Sequence, residues 1–368
     1  MLKHYENMIS NTRPISPTLF LDNNTLLGYK NGNIYYFDCD ISKVINKVSL
    51  FTNFKERVIY RFPILRRLLR LGVRTSIQID NETVLLFINK RVYELNTSTN
   101  KLSEGYEPDA GVRPLYFTKI GDDISGFVNQ IVYGGYLGNS LKKEVHIYRR
   151  IDIDRWEVVY TFDKGEINHI HNIIPDKYNN CVWVFTGDFD NSAAIWKVTD
   201  NFKNVERVVS NSQIYRGCIG FPTKEGLIYA TDAPFHDNTI RILKQKGNNW
   251  VSEKICDIDG SSIYGCKYKD KFVFSTTVEP DGRGSSLLKS MFYQKRGVGI
   301  KDNFTHIYIG NYEKNFKDIF KLEKDIWPYL FQFGTIKFPS GENNSDYLVF
   351  EPIATKKYDQ KLVKFKVK

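Results

Sequence analysis

Internal repetition constrains this chain more than any other feature. From Ile167 the sequence reads INHIHNIIPDKYNNCVWVFTGDFDNSAAIWKVTDNFKNVERVV. About 45 residues later it returns as IYRGCIGFPTKEGLIYATDAPFHDNTIRILKQKGNNWVSEKIC. A third copy opens SIYGCKYKDKFVFSTTVEPDG and resumes, after an insertion, at FTHIYIGNYEKNFKDIFKL. Each copy has the same grammar. A short strand ends in a polar turn (PDKYNN, TKEG, KDK). A very apolar run follows (CVWVFTGD, LIYATD, FVFSTT), then an alternating one (AIWKV, TIRIL, HIYIG), then a polar one (NVERVV, WVSEKI).

Four strands joined by turns at this spacing make one blade of a β-propeller. Further units begin at PTLFLDNNTLLGYK, at TSIQIDNETVLLFI and at RPLYFTKIGDDISG, and the C-terminal run FQFGTIKF…VKFKVK supplies another. The expected fold is therefore all-β, a seven-bladed β-propeller forming one domain over 1–368. A six-bladed ring is the alternative, and it requires discarding one recognisable unit. A two-sheet sandwich does not repeat a whole four-strand unit. The 14% aromatic content, with 23 Tyr and 25 Phe, agrees with strands.

In a meandering blade, the start of the innermost strand and the end of the second strand lie on one face of the disc, around the central channel. The innermost-strand starts carry Arg113, His169, His171, Tyr215, Arg216 and Tyr264. The second-strand ends carry Tyr136, Asp188, Asp190, Asp232, His236, Thr277, Glu279 and Glu351. Acids, bases and arginine thus converge from at least five blades, which ring closure alone does not require. Alternation puts His169 and His171 on one strand face.

The segments HIHN…VWVFTGDFD…AIWKVTDN and YRG…LIYATDAP resemble those of bacterial sialidase-like (BNR-type) propellers and, more loosely, of propeller polysaccharide lyases of the ulvan-lyase type. TDNFKNVERV has the outline of a worn Asp-box turn, with Thr199, Asp200 and Asn201 in its first half. The resemblance implies a carbohydrate-active propeller. The sialidase arginine triad is not found, since TRPIS at Arg13 and VRPLY at Arg113 only echo its opening motif. The lyase resemblance implies β-elimination, which needs a base, an acid and a cation near the uronate carboxylate. His171 would be the base, Tyr215 the acid and Arg216 the cation. His169, Arg113, Tyr264, His236, Glu279 and Asp190 would hold substrate. A glycoside hydrolase built on a carboxylate pair from Asp188, Asp232 and Glu279 is the second reading. A non-catalytic glycan-binding or assembly scaffold is the third.

The net charge of +10 is spread along the chain and suits an anionic partner, here an acidic polysaccharide or oligosaccharide. Nucleic acid is not expected, because no helix-turn-helix or RNA-binding signature is present. Five cysteines form no CxxC pair or zinc spacing, and neither a metal nor a cofactor is expected. No apolar leader is visible in Met1–Arg13 and no run of about 18 apolar residues occurs, so a reduced, cytoplasmic setting is the expectation. Capsule or exopolysaccharide metabolism would reconcile that setting with a polymer substrate.

Between the first two units lies FKERVIYRFPILRRLLRLGVR, expected as a basic amphipathic helical insertion over 54–74. Pro63 suits a first helical position and Gly72 a position just past the end. Ile64, Leu65, Leu68, Leu69 and Leu71 share one arc of the wheel, and Arg66, Arg67 and Arg70 the opposite one. The helix either packs its leucines on the propeller or lays its arginines on an anionic membrane surface, as a peripheral protein at the inner face. A second insertion, 282–303, is expected near the channel mouth.

Overall fold

The computed structural model describes residues 9–39, 42–50, 54–108, 112–188, 190–281, 295–313 and 315–367. They form seven antiparallel sheets, six of them meanders of the kind that the repeat predicts. The blades span 16–49, 73–102, 113–162, 169–209, 217–258 and 261–323, and the seventh is built from both ends of the chain. In that blade Thr335–Lys337, Tyr347–Ile353 and Leu362–Lys366 provide the three inner strands. Ile9–Arg13 provides the outermost strand, running antiparallel to Leu362–Lys366. The ring is closed by backbone hydrogen bonds across the whole length of the sequence.

Burial follows the grammar of the repeat. The second strand of blade 4, Cys181–Gly187, is buried at every position, because neighbouring blades cover both of its faces. The outer strand, Asn204–Val209, is only partly covered and is accordingly more polar. Cores lie between blades rather than within them. Ile174, Trp183 and Phe185 of blade 4 pack with Leu227, Tyr229 and Leu243 of blade 5. The indole N–H of the fully buried Trp183 donates to Asp176 at 2.8 Å, so its polar end is satisfied. Blades 3 and 4 approach so closely at Gly134 that a Cβ there would stand 2.3 Å from Cγ2 of Ile170.

The insertion after blade 1 folds as two helices, Phe54–Arg61 and Pro63–Leu69. Pro63 occupies the expected first position. The left-handed residue that ends the second helix is Arg70 (φ 52°), two residues before Gly72. Most of the 282–303 insertion lies outside the described residues. None of the described helices is long and apolar enough to cross a membrane.

Candidate functional site

Two adjoining features occupy the channel mouth: a polar cluster from blades 4, 5 and 6, and a basic cavity lined mainly by the other blades. The cluster begins where the innermost strand of blade 4 meets its partner. His169 pairs with Gly187 and Ile170 with Thr186, but the next paired residue is Asn172, so His171 is an extra residue in a bulge. Bulges re-aim side chains, and this one brings both imidazoles to one point. Their Nε2 atoms lie 3.0 Å apart. Gly187 permits this, because a Cβ there would come 2.3 Å from Cε1 of His171.

Asp188, one residue beyond the second strand, sets Oδ1 at 3.3 Å from Nε2 of His169 and 3.5 Å from Nε2 of His171. Arg216 reaches the same oxygen at 3.1 Å and Asp232 Oδ2 at 3.4 Å. The Cys218 thiol donates to Asp232 at 3.3 Å. Asp188, Asp232 and Glu279 follow the second strands of three successive blades, as the repeat predicts. His169, His171, Arg216 and Asp232 are all under a tenth exposed, whereas the Asp188 side chain is 31% exposed and gives the cluster its opening.

The charges are mutually dependent. Burial works against the Arg216 guanidinium, but Asp232, Asp188 and Glu279 more than offset it and hold it above its ordinary value. Burial likewise opposes ionisation of Asp188, and His169 and His171 in their protonated forms outweigh it, holding that carboxyl far below the usual range. Burial and the neighbouring Asp232 push Glu279 up to about 8, against the pull of Arg216. Burial takes His169 below the ordinary imidazole value despite Asp188. The Cys218 thiol, fully enclosed and beside Asp232, stays protonated well above its usual range.

The other sequence-predicted residues divide. Tyr215 does not join the cluster. It ends the one-turn helix Gln213–Tyr215, and its ring packs against the apolar core between blades 4 and 5. That placement removes it from the acid role beside His171. The tyrosine that does meet the cluster is Tyr136, whose ring centroid lies 4.4 Å from that of His169. His236 is exposed, and its backbone carbonyl accepts from Asn238 in a surface turn. The side chain of Asp190 lies outside the described residues. Arg113 and Tyr264 line the cavity instead of the cluster.

That cavity measures about 510 Å³ and is lined by the mouths of blades 1, 2, 3, 6 and 7 together with the second helix. Lys30, Arg66, Arg70, Arg74, Arg113 and Lys337 line it alongside one carboxylate, Glu351. Tyr29, Tyr136 and Tyr264 add aromatic surface. Arg74 lies over the Tyr136 ring at 5.0 Å and Lys337 over Tyr264 at 5.4 Å. Burial draws Arg74 below its ordinary value. Tyr264 and Tyr136 oppose that shift, and the charges of Arg113 and Arg70 add to it.

The helical insertion does not turn its whole arginine arc outward. Arg67 is buried, 2.6 Å from Asp325 and 3.6 Å from Asp359, and donates to the Phe331 carbonyl at 2.7 Å. Arg66 is half-buried and donates to Asn31, and only Arg70 is exposed. Arg67 points into the ring because Asp325 and Asp359, the carboxylates that pair with it, lie there. Phe62, Ile64 and Leu69 are exposed.

No family model matches the chain, and no curated protein matches it in sequence. Among solved structures, the chain is similar to the Myceliophteria thermophila Cps50 (Swd1) β-propeller domain. The TM-score is 0.55 at 8% identity, covering 98% of this chain and 99% of that one. That likeness is one of fold alone. It agrees with the seven-bladed ring and leaves the sialidase or lyase type unassigned.

Proposed function

We propose that this propeller binds an anionic ligand, an acidic oligosaccharide or the end of an acidic polysaccharide, in the basic cavity at its channel mouth. One observation carries the reading: Arg70, Arg74 and Arg113 line the same half-enclosed space together with Lys30, Arg66 and Lys337, against one lining carboxylate among the described residues. Concentrated like charge is costly until an anion enters, and low-dielectric walls strengthen its attraction. The volume suits a small number of sugar rings, and the tyrosine faces suit their apolar sides.

This reading sits closest to the glycan-binding alternative. The elimination reading loses its acid with Tyr215, and His171 is 2% exposed. Elimination at this mouth would have to use Tyr136 as acid, with His169 behind it and Arg74 at the carboxylate, in keeping with the 4.4 Å ring contact and the cation above it. Calorimetric titration with sulfated and uronate-rich oligosaccharides tests the binding. Affinity is expected to fall steeply with salt and to drop at least tenfold in Arg74→Ala/Arg113→Ala. Equal affinity for a neutral oligosaccharide, or indifference to salt, would overturn the reading. Unsaturated products accumulating in the same mixtures would move it from binder to lyase.

A further inference from the structure

The three atoms that meet at the centre of the polar cluster are all acceptors. Nδ1 of His169 lies 3.0 Å from the Leu137 carbonyl and Nδ1 of His171 lies 2.9 Å from the Gly217 carbonyl. A carbonyl oxygen only accepts, so each ring spends its Nδ1 proton there. In the neutral rings both Nε2 atoms then carry lone pairs. Those lone pairs point into the same small space as Asp188 Oδ1. Repulsion among three acceptors at such separations calls for something positive between them.

The size of the triangle identifies what suits it. Its edges are 3.0, 3.3 and 3.5 Å. Ligands held at about 2.1 Å around a tetrahedral ion stand about 3.4 Å apart, and around an octahedral one about 3.0 Å. The surroundings follow the pattern of metal-binding histidines, whose second ring nitrogen is anchored to a carbonyl or carboxylate. The charge count also favours a cation. Asp188 and Asp232 share a single guanidinium, Arg216, among the described residues. A carboxylate oxygen has lone pairs enough to accept from Arg216 and still ligate.

We infer that His169, His171 and Asp188 form a binding site for one divalent transition-metal ion of the zinc or iron(II) class. Two imidazoles and one carboxylate are a donor set for such ions, with positions left open for solvent or ligand. The partial exposure of Asp188 puts that opening at the channel mouth, where Tyr136 links it to the cavity. The sequence reading that expected no metal considered cysteine spacing and did not count this set. The inference does not rest on the anion-binding proposal, since its ligands are distinct from the cavity cations.

The test uses the full chain, stripped of metal by a chelator and titrated with Zn²⁺ and, separately, Co²⁺. The expected result is one ion per chain, with Co²⁺ giving the visible bands of a nitrogen–oxygen site. His169→Gln, His171→Gln and Asp188→Asn should each weaken binding by roughly a hundredfold or more, since loss of an outer-shell partner alone costs 10–100-fold. His146→Gln and His236→Gln are controls and should bind as the parent does. Gly187→Ala keeps every ligand but presses on the His171 ring, and should weaken binding without abolishing folding. Circular dichroism and the Co²⁺ spectrum separate an unfolded variant from a folded one that has lost its ion. Absence of stoichiometric binding, or binding unchanged in the three ligand variants, would overturn the inference. So would nitrogen NMR showing the two Nε2 atoms sharing a proton in the presence of saturating Zn²⁺.

Discussion

Replacing Arg67 by Ala should loosen the helical insertion from the ring, and the size of the effect can be worked from its contacts. The guanidinium makes a 2.6 Å bond to Asp325 and a 2.7 Å bond to the Phe331 carbonyl, with side chains only 4% and 12% exposed in the ion pair. Removing one partner of a buried pair costs about 3–5 kcal/mol, chiefly because the other charge is stranded. Asp325 would not be wholly stranded, because Lys324 lies 3.4 Å away and the Trp327 amide still donates to it. Asp359 is already pushed up by burial, with Arg67 opposing the shift, and would rise further. The lower end of the range, about 3 kcal/mol, is therefore expected. Local detachment of the insertion limits what global unfolding can register, so two readouts are needed. Chemical denaturation should show reduced stability, and amides of 66–71 should exchange much faster. Asp325→Ala should cost less in the Arg67→Ala background than in the parent, with a coupling of roughly 1–3 kcal/mol. Arg70→Gln, at an exposed position, should leave both readouts near those of the parent. If Arg67→Ala unfolds within about 0.5 kcal/mol of the parent and its helix amides stay protected, the staple does not exist.

Two further outcomes follow from the packing. His306 is buried between Asp318 at 2.8 Å and Asp302 at 3.0 Å. Burial lowers its affinity for a proton, but the two carboxylates more than offset that and raise its pKa above the ordinary imidazole value. The stability it contributes is fully present below the unfolded-state value and is lost as pH rises through the folded-state one. The stability gap between the parent and His306→Gln should therefore shrink from mildly acidic to mildly alkaline pH, and a constant gap would contradict this. Gly134→Ala should cost about 1–3 kcal/mol through overpacking against Ile170, and Gly134→Ala/Ile170→Ala less than the sum of its parts. Strict additivity would argue against the clash.

The blades were legible because each one carries its own signals. CVWVFTGD is uniformly apolar since it is covered on both faces, and NVERVV is polar since it forms the rim. The closing strand was not legible. Ile9–Arg13 reads ISNTR, which has no strand pattern, and its partners begin at Leu362. The wheel separated leucines from arginines correctly but could not show which side faced inward, because Asp325 and Asp359 lie more than 250 residues away. The convergence of His169, His171, Asp188, Arg216 and Asp232 was visible through the blade equivalence. Tyr215 was misplaced by a local turn that directs its ring into the core. The metal triangle depends on two backbone carbonyls, Leu137 and Gly217, which no side-chain pattern announces.

The pairing of Ile9–Arg13 with Leu362–Lys366 also imposes an order in time. During synthesis Ile9–Arg13 leaves the ribosome about 350 residues ahead of its partner strand, Leu362–Lys366. Six blades can assemble from neighbours in sequence as they emerge, while residues 9–13 wait without a sheet to join. Closure then brings together segments separated by most of the chain, the slowest kind of contact to form. Until that moment the unfinished ring presents an unpaired outer edge on Leu362–Lys366. A nascent chain interrupted late in synthesis would thus expose a sticky strand on an otherwise finished molecule.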